Sequence, residues 1–305
     1  MATDGAVIEI RDLRKSYGSV EAVRGIDLRV ARGEIFAFLG PNGAGKTTTV
    51  EIMEGYRARD GGEVSVLGVD PAHADRAWNG RIGVMLQASR MQPELTVRES
   101  LEQFAGYYRR PRSIDETIEL VGLREQHAQR GEHLSGGQQR RLDLALALIG
   151  DPELLFMDEP TTGFDPAARR GAWTVIGNLR SLGKTVFLTT HYMDEAQHLA
   201  DRVAIIAAGR IVAAGAPAKL GGENSLTRVS FTLPDGVAAS ELPRGLSGEL
   251  SADGDSVELA THEPVRDVAA LTSWALERGH DLRGLEVRRR SLEDVYLELT
   301  GEAGP

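Results

Sequence analysis

A phosphate-binding loop that follows a strongly apolar segment constrains the fold of this chain more than any other feature. Residues 35–39 are all apolar, which predicts a strand buried on both faces. The residues that follow fit the pattern G-x-x-x-x-G-K-[ST]; they are Gly40, Pro41, Asn42, Gly43, Ala44, Gly45, Lys46 and Thr47. A helix is predicted from Lys46 to about Glu54, with Gly55 as its stop. Strand, loop and helix in this order predict an α/β nucleotide-binding fold.

The loop has the chemistry of a phosphate receptor. Its glycines allow successive backbone N–H groups to turn inward around phosphate oxygens, and the helix N-terminus adds a favourable partial charge. Lys46 is predicted to reach the β- and γ-phosphates, and the Thr47 hydroxyl to ligate Mg²⁺, with Thr48 beside them. A simple glycine-rich turn is the alternative, but it does not require the strand and the helix on either side.

A second apolar segment ends in two acids. Residues 154–157 are apolar and lead directly into Asp158 and Glu159. A solvated pair of charges is not expected there, because a buried strand normally avoids carboxylates that have no partner. Asp158 is similar to the carboxylate that holds Mg²⁺ in phosphate-loop enzymes, and Glu159 would then lie beside the γ-phosphate and polarise the attacking water.

Residues 134–138 read Leu-Ser-Gly-Gly-Gln and mark the start of a helix. Ser135 can cap that helix, and apolar residues over the next three turns fall on one face. A hydroxyl and free N–H groups from Ser135, Gly136 and Gly137 would point at one spot, which makes a good receptor for an anion. A plain Ser-Gly-Gly cap would not explain why the segment ends 20 residues before Asp158.

The phosphate loop and the Leu-Ser-Gly-Gly-Gln segment together resemble the ATP-binding-cassette (ABC) family, and the resemblance covers residues 6 to about 217. It implies an ATPase that uses ATP and Mg²⁺ and works as a dimer. In such a dimer one subunit presents four residues to ATP held by the other, and here they are Ser135, Gly136, Gly137 and Gln138. A homodimer of this chain would have two competent sites, because every catalytic position of the family is filled.

The resemblance implies roles for four further residues. His191 closes segment 185–190 and matches the histidine that contacts the γ-phosphate. A lone histidine is more often a surface or core residue, but ligands bind at the carboxyl ends of strands in open α/β sheets. Gln87 matches the glutamine that senses Mg²⁺ and the attacking water, and Asp165 matches the aspartate that contacts the opposing subunit. Tyr17 matches the aromatic residue that stacks on adenine, with ordinary packing as the alternative.

Composition restricts the classes of partner. The net charge of −10 argues against general binding of nucleic acid or anionic lipid, which usually needs a basic face. We therefore interpret the arginines at 109–110, 140–141 and 288–290 as solvated faces. The absence of cysteine excludes disulfides and thiolate metal sites. No run of 18 or more apolar residues and no signal peptide are found, so we expect no transmembrane helix.

The chain is predicted to form two domains. Residues 1–220 are expected to form an ABC ATP-binding domain of the α/β phosphate-loop class, with an antiparallel β edge and a helical subdomain at about 88–150. Residues 221–305 are expected to form a small α+β accessory domain. Its predicted strands cover 227–233, 257–260 and 285–287, and its predicted helices cover 266–278 and 291–300.

The C-terminal segment narrows the resemblance. Residues 291–301, with 142–145 and 161–166, resemble the ATP-binding subunits of drug-resistance exporters of the daunorubicin-resistance type. That group implies a separately encoded membrane permease, a location at the cytoplasmic face of the membrane, and export of a drug or antibiotic. A soluble ABC ATPase acting on nucleic acid or the ribosome is the alternative, but it usually has an inserted coiled coil or two fused cassettes. A regulatory role for the C-terminal domain stays open.

Overall fold

The computed structural model describes residues 5–85, 92–220, 226–289 and 294–296. The chain divides into two compact units, Met1–Pro217 and Ala218–Pro305. The strands of the described residues are β1 (Ala6–Tyr17), β2 (Val20–Ala31), β3 (Ile35–Leu39), β4 (Gly61–Val66), β5 (Ile82–Met85), β6 (Leu154–Asp158), β7 (Thr185–Thr190), β8 (Arg202–Ala207), β9 (Arg210–Gly215), β10 (Thr227–Thr232), β11 (Glu249–Asp253), β12 (Ser256–Thr261) and β13 (Arg283–Arg289). The helices are α1 (Lys46–Met53), α2 (Arg76–Asn79), α3 (Val97–Ala105), α4 (Ile114–Leu120), α5 (Gly136–Leu148), α6 (Pro166–Ser181), α7 (Met193–Leu199), α8 (Pro217–Leu220) and α9 (Pro264–Arg278).

A six-stranded sheet lies at the centre of the first unit, in the order β5-β6-β7-β3-β8-β9. Its strands are parallel except for β9, which pairs antiparallel with β8. β3 and β7 are buried along their whole length, as expected for parallel strands covered on both faces. Because β6, β7 and β3 are neighbours, the residues that follow their carboxyl ends lie at one edge of the sheet. The predicted α/β nucleotide-binding core is confirmed.

Four phenylalanines fill the centre of this sheet. The ring of Phe187 on β7 stacks on Phe36 at 5.6 Å between centroids, and it packs against Phe38 at 5.7 Å and Phe156 at 5.9 Å. All four side chains are buried. The cluster therefore joins β3, β6 and β7, the three strands whose ends carry the predicted site residues.

A separate antiparallel sheet, in the order β2-β1-β4, forms the predicted β edge. β1 buries Ile8, Ile10 and Leu13, whereas Arg11 is exposed, so much of the strand follows the alternation expected of a sheet with one covered face. A tight turn at Gly18, which has φ 58°, connects β1 to β2. This geometry places Tyr17 at the end of β1.

The segment between β5 and β6 is largely helical. Thr96 and Glu99 form the predicted capping box of α3: the Thr96 backbone N–H donates to Glu99 Oε2, and the Glu99 N–H donates to Thr96 Oγ1. Ser113 caps α4, and Gly122 follows that helix with φ 68°. α5 packs against β5, α3 and α4. Eight of the thirteen residues of α5 are buried, because the helix is covered on several sides.

The second unit contains a four-stranded antiparallel sheet, in the order β11-β12-β10-β13, with α9 packed against β10. Val229, Val257, Leu259 and Leu271 are fully buried in its core. Strand β11 was not predicted, because all its residues are exposed and only one is a large apolar residue. Of the predicted helix over 291–300, residues 294–296 are helical and the remainder lies outside the described residues.

Candidate active site

The phosphate loop runs from the end of β3 to the start of α1 and needs glycine at two positions. A Cβ on Gly40 would lie 2.3 Å from the carbonyl oxygen of Ile206, and a Cβ on Gly45 would lie 2.4 Å from that of Ala22. Gly45 also has φ 106°, in the left-handed region that favours glycine. Neighbouring backbone therefore fixes the path of the loop on both sides.

Other loop residues differ in their exposure. Asn42 and Gly43 are exposed at the tip of the loop, Pro41 is half-buried, and Ala44 is buried. Gly43 has φ 80°, a second left-handed residue within the loop. Alternation of left-handed and right-handed residues turns successive N–H groups to the same side, which is the backbone arrangement that binds anions.

Lys46 brings a buried ammonium group to the loop. Its side chain is only 7% exposed, and Nζ donates to the carbonyl oxygens of Gly40 at 2.6 Å and Pro41 at 3.1 Å. Burial lowers the pKa of Lys46, and the negative charges of Glu159 and Asp158 oppose that change. A buried cation whose partners among the described residues are carbonyl dipoles is well suited to a phosphate anion.

Thr47, Thr48 and Tyr17 surround the mouth of the loop. Thr47 is exposed in the first turn of α1, so its hydroxyl is accessible to a ligand. Tyr17 is 41% exposed, and its hydroxyl lies 3.4 Å from Thr48 Oγ1. The guanidinium of Arg57 lies 5.3 Å and the ammonium of Lys15 lies 5.6 Å from the centre of the Tyr17 ring. The sequence-based prediction missed these two cations, because nothing in the local pattern connects them to Tyr17.

Asp158 and Glu159 follow directly on β6, next to the end of β7. The hydroxyl of Thr189, on β7, donates to Asp158 Oδ1. Glu159 has φ 47°, which is unusual for a residue other than glycine, and its N–H donates to the carbonyl oxygen of Thr189 at 3.1 Å. Thr189 therefore positions both acids, and it was not predicted because threonine is common in strands.

Glu159 and His191 come together because β6 and β7 are adjacent strands of the sheet. His191 Nδ1 lies 3.1 Å from Glu159 Oε1, and Thr162 Oγ1 donates to Glu159 Oε2 at 3.1 Å. The Glu159 side chain is 13% exposed and that of His191 is 40% exposed. A carboxylate held by two partners at a partly open edge can accept a hydrogen bond from a water molecule.

The chemistry of these donors fits a nucleotide and Mg²⁺. Among the residues that the structure describes, no group of three or more His, Asp or Glu side chains could hold a metal ion alone. An ion here would need ligands beyond the protein carboxylates, and Mg²⁺ typically takes one or two carboxylates with substrate phosphates and waters. Asp158 and the Thr47 hydroxyl are the two described oxygen donors that suit this role.

The Leu-Ser-Gly-Gly-Gln segment forms the N-terminus of α5, as predicted. The Ser135 N–H donates to Gln138 Oε1 at 2.8 Å, and the Gln138 N–H donates to Ser135 Oγ at 3.3 Å, which completes a capping box. Ser135 and Gly136 are exposed, and Gly137 is half-exposed. Within the described part of the chain, the hydrogen bonds of the Ser135 side chain stay inside this cap. Gln138 therefore shapes the helix end, and Ser135 and the glycines form its exposed surface.

Of two further predicted residues, the structure describes Asp165 but not Gln87. Asp165 is the N-cap of α6, where Oδ1 accepts hydrogen bonds from the N–H groups of Ala167 and Ala168, both at 2.8 Å. These bonds lower the pKa of Asp165. The predicted sensor Gln87 lies outside the described residues.

Arg140 corrects the interpretation of residues 140–141 as a solvated face. Its side chain is buried, and Nη2 donates to the carbonyl oxygens of Asp158 at 3.3 Å and Glu159 at 3.2 Å. Arg140 shares a buried helix face with Asp143, three residues later, whose carboxylate lies 3.6 Å from Nη1. An Arg-Arg pair carries no local sign of this burial, which results from the packing of α5 against its neighbours.

Comparison with known proteins identifies the family. The family model described as "ABC transporter" matches residues 23–162, and the model of an "ABC transporter domain-containing protein-like, C-terminal domain" matches residues 227–291. Nod factor export ATP-binding protein I of Paraburkholderia xenovorans is 38% identical over 304 residues, covering 97% of each chain. Daunorubicin resistance ATP-binding protein DrrA3 of Streptomyces coeruleorubidus is 38% identical over 308 residues, covering 97% of this chain and 96% of its own.

Solved structures agree with this assignment. CbiO1 of Clostridium perfringens, described as part of an ABC transporter complex, has a TM-score of 0.66 and 25% identity, covering 72% of this chain and 92% of its own. A dimeric ATP-binding cassette bound to ADP and phosphate has a TM-score of 0.61 at 24% identity, covering 68% and 98%, and supports the fold alone. The motifs, the site geometry and the near full-length relatives show that this chain belongs to the ATP-binding subunits of the ABC transporter family and is an ATPase.

Proposed function

We propose that this chain is the ATP-hydrolysing subunit of an exporter, that two copies dimerise head to tail over two ATP·Mg²⁺, and that the dimer drives a separately encoded membrane permease. One observation supports head-to-tail dimerisation. Lys46, Asp158 and Glu159, which are suited to phosphate binding and catalysis, cluster at one edge of the sheet. The exposed backbone after Ser135 lies instead at the N-terminus of α5. A second copy can bring its Ser135 end to the phosphate held by the first.

The proposed roles follow from the geometry of each side chain. Lys46 and the loop N–H groups would bind the phosphates. Thr47, Asp158 and, by the family resemblance, Gln87 would hold Mg²⁺, which would neutralise phosphate charge. Glu159, held by His191 on one oxygen, accepts a hydrogen bond from the attacking water and orients it. His191 presents its exposed edge to the γ-phosphate.

Three further contacts complete the site. Tyr17 stacks on the adenine, with Arg57 placed near the same ring. Ser135, Gly136 and Gly137 donate to phosphate oxygens of the facing subunit, since an exposed helix N-terminus favours anions. Asp165 contacts the opposing subunit through its exposed surface while its carboxylate caps α6.

The relatives support export. One is named for Nod factor export and another for daunorubicin resistance, and both match this chain over nearly its full length. We infer from the daunorubicin-resistance relative that the cargo is a drug or antibiotic. The permease would hold the dimer at the cytoplasmic face of the membrane.

No helix in the described part of the chain has the length and hydrophobicity needed to cross a membrane.

A surface cleft in the first unit supports contact with the permease. The cleft has a volume of about 280 Å³ and is walled by Tyr56, Phe104 and Tyr108, among others. Tyr56 is 73% exposed and Phe104 is 38% exposed, so two aromatic side chains are available to a partner. Strand β5, which leads toward Gln87, forms its floor through Ile82 and Val84. A helix of the permease seated here would contact β5, the strand that precedes Gln87 in the sequence.

Co-purification tests the proposal. The tagged Glu159→Gln variant is isolated with ATP from detergent-solubilised membranes of the source organism, and its companions are identified by mass spectrometry. We expect a multi-span membrane protein in near-equal amount. Recovery of ribosomes, nucleic acid or the chain alone would contradict the proposal and favour a soluble ABC ATPase.

A matched pair of surface variants makes the test specific. The double variant Tyr56→Ser/Phe104→Ser should no longer co-purify with the membrane protein but should still bind ATP. Leu276→Ser changes a residue that is 80% exposed in the second unit and should keep the membrane protein.

A further inference from the structure

A buried arginine connects the start of α5 to the peptide that carries Glu159. Arg140 is 8% exposed, and its Nη2 reaches the carbonyl oxygens of Asp158 and Glu159 at 3.3 and 3.2 Å. Its Nη1 lies 3.6 Å from the Asp143 carboxylate, whose side chain is 6% exposed. A buried guanidinium needs such partners, so these contacts determine where the side chain lies.

The peptide that Arg140 binds is under conformational constraint. Glu159 has φ 47°, a left-handed value that L-residues other than glycine rarely adopt. Such a conformation persists only when its surroundings hold it. On one side the Glu159 N–H donates to the carbonyl oxygen of Thr189, and on the other the Glu159 carbonyl accepts from both the Thr162 N–H and Arg140 Nη2, each at 3.2 Å. Arg140 is therefore one of the contacts that hold the Glu159 backbone and so orient the carboxylate, and it comes from α5.

The same helix begins at Ser135. Arg140 lies five residues after Ser135, on a helix that runs without interruption from Gly136 to Leu148. Five residues correspond to a rise of about 7 Å along a helix axis. A shift of the Ser135 end is therefore transmitted to Arg140 as a rigid-body movement, and from Arg140 to the carbonyl oxygens of Asp158 and Glu159.

We propose that Arg140 is a positioning residue. Through it, the orientation of the Glu159 carboxylate depends on whether a ligand is bound at Ser135, at the N-terminus of α5 in the same chain. The proposal rests on the head-to-tail dimer proposed above. In that dimer, ATP bound by one subunit contacts Ser135 of the other and, through Arg140, sets the catalytic geometry of that other subunit's own site. The two sites then hydrolyse ATP cooperatively.

Steady-state kinetics test the coupling. Wild type should show a Hill coefficient above 1 for ATP. Arg140→Gln should lower kcat at least tenfold, change the ATP affinity less than twofold, and bring the Hill coefficient to 1. Affinity is measured with a fluorescent ATP analogue in the Glu159→Gln background. Arg141→Gln makes the same charge change at the next position of α5 and should keep the Hill coefficient of wild type.

A conservative variant separates positioning from folding. Arg140→Lys keeps the charge beside Asp143 but cannot donate to both carbonyl oxygens through one planar group. It should fold with a thermal midpoint near that of wild type and still show the reduced kcat and the Hill coefficient of 1.

The proposal is wrong if Arg140→Lys and Arg140→Gln keep the kcat and Hill coefficient of wild type, if ATP affinity falls in parallel with kcat, or if wild type is not cooperative. Failure of the dimer itself has a different signature, because the Glu159→Gln variant would then stay monomeric with ATP.

Discussion

Glu54 lies directly after α1 and links folding to pH. Its side chain is 8% exposed. Burial, together with the nearby charges of Asp158 and Glu51, raises its pKa from 4.5 to about 8. The folded protein therefore keeps a proton on Glu54 at pH values at which the unfolded chain has lost it.

The sign of the effect follows from the raised pKa. The contribution of protonated Glu54 to stability is fully present below pH 4.5 and is lost as the pH rises toward about 8. From these two pKa values, the loss is about 1 kcal/mol at pH 5 and about 3 kcal/mol at pH 7. Glu54→Gln removes the titration. The free energy of unfolding of the variant, relative to wild type, should thus increase by about 2 kcal/mol between pH 5 and pH 7.

Urea unfolding followed by tryptophan fluorescence measures this difference. Comparing the variant with wild type isolates Glu54, because the titrations of other groups largely cancel between the two proteins. Trp78 is buried in the first unit and reports its unfolding. Glu102→Gln, at an exposed position on α3, controls for the change in net charge. A difference between Glu54→Gln and wild type that stays constant from pH 5 to pH 7 would refute the reasoning.

Three further predictions concern stability and are measured by the same urea titration. Phe187→Ala should lower the free energy of unfolding by about 3–5 kcal/mol, because it removes the ring that three other phenylalanines contact; a loss below 1 kcal/mol would contradict the packing described. Gly40→Ala should cost about 1–3 kcal/mol from its contact with Ile206, whereas Gly177→Ala, which meets no atom within 4 Å inside α6, should stabilise by about 0.5–1 kcal/mol. Asp165→Ala should cost about 1 kcal/mol through loss of the α6 cap, and an unchanged midpoint would show that the cap contributes nothing.

The sequence predicted much of the α/β core, because strand-end motifs have local signals. An apolar run followed by Gly40 to Thr47, or by Asp158 and Glu159, is sufficient to place those residues at the carboxyl end of a buried strand. The order of β6, β7 and β3 in the sheet then brought Glu159 to within 3.1 Å of His191. The structure describes both residues at the edge where they were expected.

The contacts that the sequence did not predict depend on tertiary packing. Arg140 was interpreted as solvated because an Arg-Arg pair is usually exposed, and only the packing of α5 against β5 and its helical neighbours reveals that it is buried. Thr189 is unremarkable in a strand until the register of β7 with β6 places it opposite Asp158. Strand β11 is fully exposed and has no apolar alternation to identify it. In each case the information lies in the partner segment and not in the local sequence.

Head-to-tail dimerisation over ATP is the central claim, and mixing two defective variants tests it most directly. Both variants carry Glu159→Gln, so that bound ATP is retained. Lys46→Ala removes the phosphate contact, and Ser135→Arg blocks the helix N-terminus that faces ATP across the dimer. Neither variant alone has a complete site, but a dimer of one copy of each contains one complete site.

Light scattering in the presence of ATP gives the result. We expect each variant alone to have the mass of a 33.0 kDa monomer and the mixture to form a dimer with one ATP per two chains. A mixture that remains monomeric, or a dimer formed by either variant alone, would contradict a site built from Lys46 of one subunit and Ser135 of the other.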